Sequence, residues 1–449
     1  MPSPRDEEPH SGRSGFSWVG PPYETCPSCG AETFGRLWVR SRSYTRKCDR
    51  CGQRGNFDLP DLRKKVIYLD QFALIGMLKA LHPQAPRIPE ADAERWRMLF
   101  ERLDRITRLQ LVVCPESPAH EVESALHPRN FAALRRLYEL FAHGSEFKDP
   151  EQVTGRQVVQ HARDWLAGNV AGPLKLREWD ALTGEPHAWK EAYILSVQFP
   201  VSEEEVEESR RRREQGGAAL EEIFRRWQEE SSRRFDEWYG EELEGWAIFT
   251  WTDFLRSAGR LIAAMEGVRQ YELEDLIPTT RSRELVMTLA EIFRKGGIPE
   301  DEALDRVHDF LFSGTLDRVP RLRIQALLWA GMAHQAAKGG TLTPPGRGAM
   351  TDVNVISTVL PYCDALLIDN QMRSLLEFGP VRDRLGFDTR VYSPKTLDAL
   401  IDYLDSIEQE APEGVVELAT RVYGEPEPYV TIFHDPRYRL GARRDEVAR

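Results

Sequence analysis

The chain has 449 residues, 41% of them apolar, with 72 acidic against 60 basic side chains and a net charge of −12. Such a length buries a large core and fits two or three units at roughly 100–200 residues each. The negative balance excludes a surface that grips nucleic acid indiscriminately, because phosphate affinity comes from Lys and Arg displacing condensed counterions.

No run of about 18 uncharged apolar residues and no basic-then-apolar leader stands in the sequence, so neither membrane insertion nor secretion is expected. The expected setting is cytoplasmic, without a membrane partner. Six cysteines divide into the pairs Cys26/Cys29 and Cys48/Cys51 plus the isolated Cys114 and Cys363, a pattern that points to metal rather than disulfides.

In chain order, residues 1–20 are rich in Pro, Ser, Gly and charge and read as a disordered tail. Residues 21–60 read as a zinc ribbon. CPSCG, then 18 residues after Cys29, then CDRCG is the spacing at which two knuckle turns present four thiolates tetrahedrally. Gly30 and Gly52 follow the knuckles, where a positive φ is cheap for glycine. Between them RLWVRSRSY alternates like a hairpin strand. The segment also concentrates seven basic residues (Arg36, Arg40, Arg42, Arg46, Lys47, Arg50, Arg54) against the single acid Asp49. Trp38 and Tyr44 interleave them, making Arg36, Trp38, Arg40, Arg42, Tyr44 and Arg46 candidate nucleic-acid contacts.

After the ribbon, VIYLD reads as a buried strand, and Pro89 to about Arg108 as a helix with Trp96, Leu99, Leu103 and Ile106 on one face. LQLVVCPES is a second strand entering a turn. SPAHEVESAL then opens a helix, with Ser117 at the N-cap and Pro118 at the first helical position. Residues 131–317 are almost continuously helical in pattern. Their Glu and Arg blocks at 203–240 read as a solvated helix laced by pairs three or four apart. From residue 319 the pattern runs helix, loop, helix TDVNVISTVLPY, strand CDALLIDNQM, strand TRVYS and helix LDALIDYLDSI. Uninterrupted apolar strands separated by helices predict an α/β fold, a parallel sheet flanked by helices.

Two of those strands end in a charge. Asp70 closes VIYLD and Asp369 closes ALLID, so in a parallel sheet both lie at the carboxyl edge, where open α/β folds place ligands. Glu123, in the helix after the second strand, and Asp352, opening the helix before ALLID, can lean over the same edge. Four acids around one crevice raise one another's pKa unless a divalent cation neutralises them, which predicts a Mg or Mn site. Each acid also has an ordinary reading: Asp70 as the cap of a helix starting at Gln71, Asp352 as a dipole-favoured first-turn acid, and Asp369 as a turn. Glu121 stands in reserve for Glu123. Asp364 lies some 16 Å from Asp369 at about 3.3 Å per strand residue and reads as structural, while Ser117 and His120 read as a local capping pair.

This order of acids, Asp70 in IYLDQF, Glu123 in SPAHEVES, Asp352 in MTDVNVIS and Asp369 in LLIDNQM, resembles the PIN-domain nuclease family. The resemblance covers about residues 65–130 and 318–405. It departs from the commonest family pattern at Gln71-Phe72, where a small hydroxyl residue and Asn usually follow the first Asp, and in its long insertion. It implies a split nuclease core (61–130 and 318–405), a helical insertion at 131–317 and a C-terminal extension at 406–449. It further implies a metal-dependent endonuclease in which Asp70, Glu123, Asp352 and Asp369 hold Mg or Mn and cleave single-stranded nucleic acid, RNA ahead of DNA. The acidic crevice repels a phosphate backbone, so Arg318, Arg321, Arg323 and Arg347 join the ribbon as candidate grips. The competing reading is a non-catalytic zinc-ribbon adaptor for nucleic acid or protein, with the helical insertion as the dock for a partner or a second copy.

Overall fold

The computed structural model describes residues 19–126, 130–190, 202–268, 270, 281–340, 344–346, 348–412 and 414–425. Its frame is a four-stranded, wholly parallel sheet built from β5 (Lys65–Leu69), β6 (Val112–Val113), β9 (Ala365–Leu367) and β10 (Arg390–Tyr392), in the order β10-β9-β5-β6. In β5 alone, alternate side chains enter opposite layers, as the two-residue strand period requires. Ile67 and Leu69 join a cluster with the helices Gln71–Leu81, Glu90–Arg108, Phe131–Ala142, Leu397–Gln409 and Val415–Tyr423. Val66 and Tyr68 join another with the helices Pro320–Ala337, Ala349–Val359, Asn370–Glu377 and Gly379–Leu385. The fold is therefore mixed α/β, helix on sheet on helix.

The Glu90–Arg108 helix shows why the flanking layer forms. Leu99, Leu103 and Ile106 are fully buried at the expected three- and four-residue spacing, each worth roughly 1.5–3 kcal/mol of burial. Glu90 and Asp92 in its first turn and Arg105 and Arg108 in its last complement the helix dipole. Register between the sequence-distant strands β5 and β9 is pinned by Asp364. One of its oxygens meets Lys65 Nζ at 2.8 Å and the other accepts from Val66 N at 2.9 Å, which is the structural role expected of it.

Four further strands, β1 (Gly20–Glu24), β2 (Phe34–Arg40), β3 (Ser43–Cys48) and β4 (Arg54–Asp58), form the antiparallel sheet of the cysteine-rich unit. The expected RLWVRSRSY hairpin is the β2–β3 pair. The expected tail boundary at residue 20 moves: Val19 is buried and Gly20 already pairs with Arg36, while residues 1–18 lie outside the described residues.

Two other expected boundaries shift, because burial rather than chain position decides what belongs to the core. The Phe131–Ala142 helix, assigned from the sequence to the insertion, buries Leu134, Leu137 and Phe141 in the cluster under the sheet. Val415–Tyr423, assigned to a C-terminal extension, buries Val415, Ala419 and Val422 there too. The short strands β7 (Glu146–Phe147) and β8 (Leu182–Thr183) interrupt the expected continuous helix. Part of the insertion packs around its own cluster, in which the helices Pro150–Leu166, Phe235–Met265, Arg281–Lys295 and Ala303–Leu311 bury Val158, Phe254, Phe293 and Phe310, while Phe147, Val153, Leu220, Phe224, Trp227 and Trp238 join the cluster of Val66 and Tyr68 on the sheet. On the Glu203–Glu229 helix, Arg211 pairs with Glu208 and Arg226 with Glu230, as a solvated helix face does. Among the described residues no helix is long and apolar enough to cross a membrane.

Candidate metal centres

The four cysteines converge at the base of the ribbon sheet. Each knuckle closes through its glycine: Gly30 N donates to Cys26 O at 2.9 Å and Gly52 N to Cys48 O at 2.9 Å, with φ of 69° and 75°. The sulfurs of Cys26 and Cys51 stand 3.6 Å apart and those of Cys29 and Cys48 3.7 Å, and all four lie within 4.8 Å of one another. A tetrahedral ion with Zn–S bonds of about 2.3 Å sets sulfurs about 3.8 Å apart, so the cluster could hold a zinc ion. Cys114 and Cys363 are buried elsewhere in the core.

The acids meet at the carboxyl end of the parallel sheet. Asp70 N donates to Leu367 O at 3.0 Å, extending the β5–β9 ladder by one residue. Its Oδ1 then accepts from Gln71 N at 2.6 Å as the cap of the Gln71–Leu81 helix. Asp369 does the same on the neighbouring strand, where its Oδ1 takes Gln371 N at 2.6 Å and Met372 N at 3.0 Å. The helix-cap reading and the crevice reading of each aspartate thus hold together, since capping occupies one oxygen and leaves the second without a hydrogen bond among the described residues.

Glu123 from the Pro118–Ala125 helix and Asp352 from the first turn of Ala349–Val359 line one cleft with Asp70, walled by Tyr68, His120 and Ile368. The cleft encloses about 10 Å³, room for one water-sized occupant. Asp369 stands at its edge rather than among its walls, but its charge reaches Asp70. Burial first, then the charges of Glu123 and Asp369, push the Asp70 carboxyl up to about 7 against the pull of the Gln71 N–H. Of the two glutamates weighed from the sequence, Glu123 faces the cleft and Glu121 is exposed outside it.

Two residues that sequence reasoning passed over hold this arrangement. Gln71 is buried; its Nε2 donates to Ser124 Oγ at 3.1 Å and its Oε1 accepts from Tyr138 Oη. It therefore ties the helix capped by Asp70 to the helix carrying Glu123. Its signal was the departure from the usual small hydroxyl residue after the first Asp. Tyr68 stacks on His120 with centroids 5.1 Å apart and planes at 5°. Ser117 N donates to His120 Nδ1 at 3.1 Å, the local pair expected, and burial pushes the imidazole down to about 3. His120 is therefore neutral and a wall of the cleft, not a proton donor at neutral pH.

Among the described residues, the cysteines are the one set of three or more His, Cys, Asp or Glu whose ligand atoms lie within 4.8 Å of one another. The carboxylates approach less closely as a set. Oxygens that bind one magnesium ion directly at about 2.1 Å stand no more than about 4.2 Å apart, so in this arrangement at most two of the acids could touch a common ion and the others would reach it through water.

The expected nucleic-acid contacts divide. Arg46 is wholly buried and donates to Pro22 O, Phe34 O and Arg421 O while pairing with Glu24. Tyr44 is buried and stacked on Phe57. Arg36 donates to Val422 O at 2.9 Å and lies over the Tyr423 ring. These three face inward because the C-terminal helix docks on the ribbon, a long-range contact that local patterning does not reveal. Trp38, Arg40 and Arg42 remain exposed. Near the acids, Arg318 is engaged by Asn169 O and Gly172 O, Arg321 is buried, and Arg323 donates to Leu385 O; Arg347 lies outside the described residues. Compared with known proteins, the chain matches no family model, no curated protein and no solved structure.

Proposed function

We propose that the chain is a metal-dependent nuclease that hydrolyses phosphodiester bonds of single-stranded nucleic acid, as its resemblance to PIN-domain nucleases implies. One observation carries the reading: Asp70 and Asp369 end adjacent parallel strands, and Glu123 and Asp352, from two other segments, lean over the same end. Acids gathered from positions some three hundred residues apart around a one-water cleft oppose one another, and burial, joined by the charges of Glu123 and Asp369, raises the Asp70 carboxyl. A Mg or Mn ion fits the chemistry of this set, hard oxygen ligands around a small space.

Asp70 and Asp369 would hold the ion through the oxygens that capping leaves over, with Glu123 and Asp352 completing the set through water. Bound there, the ion would supply positive charge for the phosphate and an acidified water. The protein's own tasks are then to fix the carboxylates through the two helix caps and Gln71, and to wall the cleft with Tyr68 and neutral His120. No protein side chain is required as nucleophile. RNA stands ahead of DNA on the resemblance alone.

The test is cleavage of end-labelled single-stranded RNA and DNA with Mn²⁺, comparing the parent with Asp369→Asn. Asn caps helices as well as Asp does, so the variant keeps its fold; it is expected to lose cleavage by at least a hundredfold. A parent that cleaves neither strand, or a variant that cleaves like the parent, refutes the nuclease reading. The first of those results, with strand binding intact, would leave the adaptor reading, for which the cysteine cluster is independent of the acids.

A further inference from the structure

The outward face of the ribbon sheet carries a tryptophan between two guanidinium groups. Register places Trp38 opposite Thr45, and Thr45 opposite Asn56, in one row across β2, β3 and β4. Two residues along on either side lie Arg40, opposite Ser43, and the Lys47–Arg54 pair. Side chains two apart on a strand share a face. The two arginines use this proximity: Arg40 Cζ lies 5.5 Å and Arg54 Cζ 5.9 Å from the Trp38 ring centroid. Neither arginine forms an ion pair or hydrogen bond among the described residues, whereas Arg42 beside them is paired with Asp61 at 3.3 Å. The acid on this face is Asp58, opposite Ser43 at the far edge. In a chain of net charge −12, cations left without carboxylates beside an exposed indole form a local exception.

We infer that this face, Trp38 with Arg40 and Arg54, is a binding platform for single-stranded nucleic acid, an unpaired base stacking on the indole while the guanidinium groups take the flanking phosphates. Base–aromatic stacking needs a π-face and accepts any base. A guanidinium parked on the ring can turn to a phosphate oxygen when a base replaces it, exchanging a cation–π contact for a charge-assisted hydrogen bond. A duplex keeps its bases stacked inside and has none to offer the indole. The opposite face of the same sheet cannot serve, because Val39, Tyr44 and Phe57 pack into the core there.

The ribbon enters the parallel sheet at the amino end of β5, whose five residues run roughly 16 Å before the chain reaches Asp70. The ribbon therefore joins the sheet at the end of β5 opposite the acid cleft, whose carboxylates repel phosphate. This deepens the nuclease reading, on which its biological meaning rests, but its test is binding without cleavage, so either can fail alone.

Fluorescence anisotropy of labelled single-stranded oligonucleotides, as RNA and as DNA, with the zinc-loaded full chain and no added Mg²⁺ or Mn²⁺, measures it. Trp38→Ala is expected to weaken binding by on the order of tenfold or more, and Trp38→Phe to recover most of the loss. Arg40→Gln and Arg54→Gln each lower the slope of log affinity against log salt by about 0.7. A duplex of the same length binds more weakly and does not respond to Trp38→Ala. Unchanged affinity in a Trp38→Ala protein that retains zinc and its circular dichroism overturns the inference. So does equal sensitivity of duplex and single strand.

Discussion

Replacing Asp70 by Asn probes the acid cleft without any substrate. Burial, then Glu123 and Asp369, raise the Asp70 carboxyl from an ordinary 3.8 to about 7. About three pH units correspond to ~4 kcal/mol, the cost of holding the ionised carboxylate in the cation-free fold above pH 7. Between 3.8 and about 7 the folded chain keeps a proton that the unfolded chain has released, so stability falls as pH rises through that window and levels off above it. Asn preserves the shape and the cap to Gln71 N without the charge. In urea unfolding of zinc-loaded protein free of Mg²⁺ and Mn²⁺, Asp70→Asn is expected to exceed the parent by about 2–4 kcal/mol at pH 8 and to match it within about 1 kcal/mol at pH 4.

Manganese supplies the complementary measurement. A ligand at a hundred times its Kd stabilises by about 2.7 kcal/mol, so Mn²⁺ raises the parent's unfolding midpoint at pH 8 and leaves Asp70→Asn nearly unmoved. Equal stability of parent and variant at pH 8, together with a parent insensitive to pH between 4 and 7, refutes the crowded-carboxylate account. A variant that responds to Mn²⁺ as the parent does places the cation elsewhere.

Arg46→Ala removes a buried guanidinium, leaving the carbonyls of Pro22, Phe34 and Arg421 without that donor and Glu24 with Arg421 alone; a loss of about 2–4 kcal/mol is expected, read by denaturant titration. Amide exchange in Val415–Tyr423 should rise with it, and unchanged protection would show that Arg46 does not hold that helix. Burial, then the Lys190 charge, lower the Lys64 ammonium from 10.5 to about 7. The folded chain has therefore shed a proton between about 7 and 10.5 that the unfolded chain keeps, and the parent gains stability as pH rises through that window. Lys64→Met removes this slope and exceeds the parent at pH 6, so parallel pH profiles of the two proteins would contradict the assignment. Metal analysis is expected to find about one zinc per chain, lost in Cys26→Ala with melting of the ribbon sheet; a variant that keeps its zinc would place the ion outside the cluster.

The sequence made legible what depends on short-range physics. The CxxC pairs and their glycines announce the knuckles because a tight turn needs those residues at those positions. The apolar runs around Tyr68 and Leu366 announce buried parallel strands, and the aspartates that end them follow from the same edge geometry. Contacts across long separations were not legible. Nothing local to Arg46 distinguishes it from Arg40, yet β3 turns one inward under Arg421 O and β2 leaves the other beside Trp38. The Phe131–Ala142 helix carries the same amphipathic signature as the helices of the insertion, and only the partner it buries against assigns it to the sheet. Gln71 belongs to the same class, since its value lies in Ser124 and Tyr138, more than fifty positions away.

The insertion and the acid cleft are linked by one buried cation. Arg321, 5% exposed, sits at the start of Pro320–Ala337 and donates to Thr154 Oγ1 at 2.7 Å, Gln325 Oε1 at 3.1 Å, Asn354 Oδ1 at 3.1 Å and Thr358 Oγ1 at 3.1 Å. Its own N–H meets Gln157 Oε1 at 2.9 Å. Every one of these acceptors is neutral. Burial lowers the guanidinium only to about 10, so the charge persists at neutral pH and is tolerated because the fork finds acceptors in several directions at once, which a lysine's single ammonium could not match. Apart from Gln325 on its own helix, those acceptors come from the insertion's Pro150–Leu166 helix and from Ala349–Val359, whose residue Asp352 stands two positions before Asn354. The insertion therefore bears directly on the helix that brings Asp352 to the cleft. A lid that swung free of the sheet would have to strand a buried guanidinium, at a cost of several kcal/mol, so any motion of the insertion that regulates the site must carry the Ala349–Val359 helix with it or take place beyond Thr154 and Gln157.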